Sequence, residues 1–145
     1  MQNTYQRHFL WIVLCLGFCA SMADAQNHVL DFDGKGDYVE ITNNKGLNAI
    51  NSQLTIEVWI KPTGFPNQWI PLIYKGDGYT PGGSNRSYTL WLNSSGFIHF
   101  TFTSALNQGE RFIESPPGLI ALSRLYHVAG VIDAKRMRLF LNGTE

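Results

Sequence analysis

Leu54-Thr55-Ile56-Glu57-Val58-Trp59-Ile60-Lys61 decides the fold class. Leu54, Ile56, Val58 and Ile60 fall on one side of an extended chain, and Thr55, Glu57, Trp59 and Lys61 on the other. A period of two is the signature of a half-buried strand. Working outward, the same alternation recurs at Tyr88–Leu92, Phe97–Phe102, Tyr126–Ile132 and Met137–Leu141. Trp69–Tyr74 is a further strand, and Pro71 within it predicts an edge or a bulge, because proline donates nothing to a ladder. Val29–Phe32 and Tyr38–Ile41 read as two short strands around a Gly-rich turn. Gly46–Gln53 holds at most a helical turn.

Turn chemistry separates these runs. Asp33-Gly34-Lys35-Gly36, Lys75-Gly76-Asp77-Gly78, Pro81-Gly82-Gly83, Asn93-Ser94-Ser95-Gly96 and Asn142-Gly143 are rich in residues that tolerate positive φ. Short strands with frequent turns predict an all-β antiparallel sandwich. No amphipathic helix lies between successive strands, which excludes a parallel α/β fold. Asn142-Gly143 predicts a hairpin whose returning strand begins at once. The sequence ends two residues later, so the sandwich is expected to be incomplete at its C-terminal end, with an open edge.

Composition narrows the function. The 145 residues carry 11 Lys+Arg against 11 Asp+Glu, with 44% hydrophobic and 15% charged residues. That excludes intrinsic disorder. A formal charge of zero with no basic cluster excludes a general nucleic-acid binder. Residues 1–25 read as a secretory signal: Arg7, the apolar run Phe9–Ala20, then the small-residue cleavage pattern Ala23-Asp24-Ala25. The run is too short to span a bilayer, and no second one follows, so the mature chain is expected to have no membrane span. Cleavage would remove Cys15 and Cys19, the only cysteines, leaving no disulfide framework. It would leave residues 26–145 as a single domain.

Four stretches in this order resemble the LamG-like jelly-roll domain of the concanavalin A-like lectin and glucanase superfamily. They are Leu30–Ile41 (LDFDGKGDYVEI), Leu54–Pro62 (LTIEVWIKP), Leu125–Asp133 (LYHVAGVID) and Met137–Gly143 (MRLFLNG). The resemblance covers residues 28–145. Leu125 stands where the family usually has tryptophan, and family domains run on for several strands beyond the Asn-Gly turn. The resemblance implies a non-catalytic binding module within a larger extracellular protein, secreted or at the cell surface. Its partners would be carbohydrate or an extracellular protein. Two other functions stay open: an accessory domain of a glycoside hydrolase, and a structural or adhesive module.

Candidate chemistry follows. Glucanases of the superfamily place carboxylates at E-x-D-x-x-E spacing on one strand, and no such spacing occurs here: Glu57 is alone, and Glu110 and Glu114 read as loop residues. No G-x-S-x-G elbow is present. His127 reads as a packed strand histidine, and His28 and His99 lack a second ligand at metal spacing. Calcium is the one metal with candidate ligands, Asp33 and Asp37. Two carboxylates make a thin shell, and the pair is expected instead to close turns by accepting backbone N–H groups. For sugar binding, Trp69, Tyr79, Asn85 and Arg86 are the expected contacts, a flat aromatic set and planar polar groups near loops. Trp59 and Trp91 are expected to pack in the core or between sheets. Asn85, Asn93 and Asn142 match the glycan-acceptor pattern.

Overall fold

The computed structural model describes residues 28–42, 45–48, 50, 53–76, 86–104, 109–133 and 136–145. The expected secretory signal, Tyr79 and Asn85 lie outside them. Seven strands form: β1 (Leu54–Ile60), β2 (Trp69–Gly76), β3 (Arg86–Asn93), β4 (Ile98–Ser104), β5 (Gly109–Glu114), β6 (Tyr126–Ile132) and β7 (Met137–Leu141). The one short helix among the described residues is α1 (Lys45–Asn48). The strands make two antiparallel sheets, one ordered β1-β6-β7 and the other β2-β3-β4-β5, the sandwich that the alternation predicts.

Alternation places one face of each sheet inward. Leu90 pairs with Phe100, Leu92 with Ile98 and Tyr88 with Phe102 across β3 and β4. All six are buried, and with Ile56, Ile120, Tyr126, Val128 and Ile132 they form the core between the sheets. The two sheets approach tightly at Gly130 on β6. A Cβ there would lie 2.8 Å from the Phe100 ring, so only glycine lets the second sheet settle on that phenylalanine. Tyr126 serves the core with its ring, while its hydroxyl accepts the Ala121 N–H at 3.0 Å. A largely apolar cleft of about 440 Å³ opens beside β5 and β7, lined by Ile98, Ile113, Leu119, Val128, Leu139 and Leu141 among others.

The turns follow their residues. Asn142 (φ 50°) and Gly143 (φ 80°) both take the left-handed conformation, and Leu141 and Thr144 exchange two backbone hydrogen bonds of 2.8 and 3.0 Å across them. That is the hairpin turn expected of Asn-Gly. Pro71 sits on the edge strand β2, and the register slips between Pro71 and Ile73, as a proline in a ladder requires.

Two expectations about strands are corrected. Val29–Phe32 and Tyr38–Ile41 are not strands. Among the described residues no strand lies alongside them to complete a ladder, and Val29, Leu30, Tyr38, Val39 and Ile41 are exposed. Between them the chain is bent by its own aspartates. Asp33 N–H donates to Asp37 Oδ2 at 3.0 Å, and Lys35 N–H donates to Asp33 Oδ1 at 2.7 Å. Both carboxylates therefore close the turn, as the alternative to calcium requires. Conversely, Gly109–Glu114 is a strand, not a loop. Its apolar residues Phe112 and Ile113 are neighbours, so each side of β5 carries only one of them and no alternating run appears.

Candidate functional site: the outer face of the four-stranded sheet

Inward-facing Leu90, Leu92, Ile98 and Phe100 force their neighbours to the opposite side. Thr89, Trp91, His99 and Thr101 therefore face away from the core. The register continues this face onto the edge strands: Trp69 beside Asn93, Tyr74 beside Thr89, Phe112 beside Thr101, and Glu114 beside His99. Ordinary sandwiches carry polar residues there. Here the face holds five aromatic residues on four strands, counting Trp69, Tyr74, Trp91, His99 and Phe112.

These rings support one another. His99 stacks on Phe112 with centroids 5.3 Å apart and 23° between planes. Trp69 meets His99 edge-on at 5.3 Å and Phe97 edge-on at 5.7 Å. Tyr74 meets Trp91 edge-on at 6.0 Å. Edge-to-face and stacked pairs at these separations are the favoured aromatic geometries. Beneath them lies a fixed polar floor. The Thr89 and Thr101 hydroxyls, both fully buried, hydrogen-bond each other, and the Trp91 indole N–H donates to Thr89 Oγ1 at 2.7 Å. The rings are thus held in place, yet Trp69 remains 40% exposed and Phe112 62%.

The carboxylates named on this face have partners. Glu114 Oε1 lies 2.7 Å from His99 Nδ1. Arg86 Nη1 lies 3.5 Å from Glu110 Oε1, and the guanidinium sits 5.5 Å from the Trp91 ring centre. From Asn93, the neighbour of Trp69, back to Arg86 is seven residues of β3, roughly 23 Å at the strand rise. Aromatic surface and paired hydrogen-bonding groups therefore run the length of the sheet.

Of the expected sugar contacts, Trp69 and Arg86 stand at opposite ends of this one face. Trp91 is not a core residue. It lies on the outer side, and Leu90 and Leu92 already gave the signal, since both neighbours cannot point inward unless Trp91 points out. Trp59 is likewise on an outer face and 63% exposed. Tyr74, His99, Phe112 and Glu114 were not expected. His99 was legible from its alternation with Ile98 and Phe100. Phe112 and Glu114 were not, because β5 (GERFIE) carries no alternating apolar run. Among the glycan-acceptor asparagines, Asn93 is buried and its Oδ1 accepts the Ser95 N–H at 2.9 Å, which closes it to modification. No group of three or more His, Cys, Asp or Glu able to hold a metal occurs among the described residues, and no described helix is long and apolar enough to cross a membrane.

A family model described as the Concanavalin A-like lectin/glucanases superfamily matches residues 33–145. The chain is also similar to a protein of Pseudomonas fluorescens (strain SBW25) named cytidylate kinase, at 27% identity over 109 residues. That match covers 75% of this chain and 46% of the other protein, so the chain spans about half the length of that relative. No solved structure matches the chain.

Proposed function

The chain belongs to the concanavalin A-like lectin/glucanases superfamily, and from that premise we propose that it is an exported, non-catalytic module that binds neutral glycan chains on the outer face of its four-stranded sheet. The superfamily supplies the coarse part, a carbohydrate- or protein-binding module, and laminin G-like domains are generally non-catalytic. The glycan reading rests on one observation, the supported aromatic face from Trp69 to Arg86. Pyranose rings expose flat C–H faces that pack on aromatic rings, and their hydroxyls match the His99–Glu114 and Arg86–Glu110 pairs. A face this long suits an extended oligosaccharide more than a single sugar. Because the Arg86 guanidinium is matched by Glu110, the face offers no excess positive field for sulfated or uronic polymers. Neutral β-linked chains, whose ring faces lie flat, fit it best. Residues 1–25 act as the signal that exports it.

The name of the Pseudomonas relative does not transfer. Phosphoryl transfer among P-loop enzymes needs a G-x-x-x-x-G-K-[ST] loop opening a helix, and this sequence contains none. An adhesive, protein-binding reading has one observation of its own, the exposed apolar side chains of Val29–Ile41, which an extended partner strand would cover.

Calorimetric titration with cellohexaose and laminarihexaose tests the proposal. Trp69→Ala should weaken binding by roughly tenfold or more, the loss of one aromatic stack, with the cooperative unfolding transition retained. No heat with either sugar overturns the glycan reading.

A further inference from the structure

The outer face of the three-stranded sheet repeats the same chemistry. Trp59 on β1 pairs with His127 on β6, and Glu57 lies two residues before Trp59 on the same side. The Trp59 and His127 rings are 4.9 Å apart at 46°. Glu57 Oε2 is 3.3 Å from His127 Nε2. This matches, group for group, the Trp69–His99–Glu114 arrangement: an indole against an imidazole that is paired with a carboxylate. The two sets sit on opposite sides of the sandwich, since each faces away from the shared core.

The set is fixed in place. The His127 N–H donates to Asn142 Oδ1 at 2.9 Å, and its carbonyl accepts the Asn142 N–H at 2.8 Å. The turn after β7 therefore clamps the histidine backbone. It is also open: Trp59 is 63% exposed, and the Glu57 side chain 65%. A large indole held in water on a rigid strand marks a recognition surface when hydrogen-bonding groups converge beside it. Its ring offers a stacking plane, and Glu57 accepts hydroxyl hydrogens at the ring edge.

We propose that Trp59, His127 and Glu57 form a second binding place for neutral β-linked pyranose chains, so that one molecule bridges two glycan chains. The class of ligand rests on the glycan reading above; the site rests on its own residues. Bridging also explains why the rings occupy both outer faces: two places on one face would clamp a single chain, whereas two on opposite faces join separate ones.

The experiment titrates the chain, its Trp59→Ala variant and its Trp69→Ala variant with cellohexaose and laminarihexaose. Stoichiometry is read by calorimetry, and the indole N–H resonances by NMR of the unsubstituted chain, which needs no variant to fold. The viscosity of hydroxyethyl cellulose, a soluble β-glucan, reports bridging. The expected result is two sugars per molecule, one in each variant, a moving Trp59 resonance, and a rise in viscosity lost in either variant. A single site unaffected by Trp59→Ala, with the Trp59 resonance unmoved, overturns the second place and leaves the first. Binding abolished by Trp59→Ala and untouched by Trp69→Ala overturns the first and leaves Trp59. No binding of either sugar overturns both.

Discussion

His99 and Phe100 are adjacent on β4 and opposite in consequence. Phe100 is fully buried against Gly130 and the core. His99 lies on the other side, between Trp69 and Phe112 and paired with Glu114. Both faces of this sheet are rich in rings, yet only the inner one is covered by a second sheet. Aromatic content alone does not say which face holds the fold together; the covering layer does. Inner-face changes should therefore cost stability, and outer-face changes recognition.

The largest effect should come from Phe100→Ala, which removes the ring on which the second sheet rests. A loss of about 3–5 kcal/mol is expected, read by urea unfolding. Gly130→Ala attacks the same contact from the other side. Its methyl would press on the Phe100 ring, at an expected cost of about 1–3 kcal/mol. A neutral result at either position would break the comparison.

Thr89→Val sharpens it, because Thr89 faces outward yet is fully buried beneath the rings. The change strands the Thr101 hydroxyl and the Trp91 indole N–H, at about 1–3 kcal/mol. The outer face would then be shown to have a structural floor beneath its rings. Tyr88 gives a smaller, pH-dependent signal from the inner side. Burial raises its phenol above the ordinary tyrosine value. The folded chain keeps that proton at pH values where the unfolded chain has lost it. Its contribution is complete below about pH 10 and is lost as pH rises through the raised value. Tyr88→Phe should flatten the alkaline limb of the stability curve, followed by unfolding titrations from pH 8 upward.

The sandwich was legible because burial on one side writes itself into every second residue. Leu54–Ile60, Tyr88–Leu92 and Tyr126–Ile132 carry that pattern, and each is a strand. Val29–Ile41 carries it as well and forms none: alternation states a preference, and the ladder partner decides. β5 was hidden for the converse reason, since an edge strand pairs through its backbone without needing an apolar face. Trp69 and Arg86 were picked out by their place beside turns, and the structure sets them on one face. The rest of that face needed the register, because Phe112 and Glu114 reach His99 only through the pairing of β4 with β5. Trp91 faces outward because the parity of Leu90 and Leu92, and not the size of its ring, decides its side.

The most direct test follows the indole N–H resonances of Trp69 and Trp91 while cellohexaose is added to the chain. If the outer face of the four-stranded sheet is the binding surface, both resonances move and saturate together, while the core residues Leu90 and Phe100 keep their side-chain shifts. Saturable binding that leaves Trp69 and Trp91 unmoved would contradict the account.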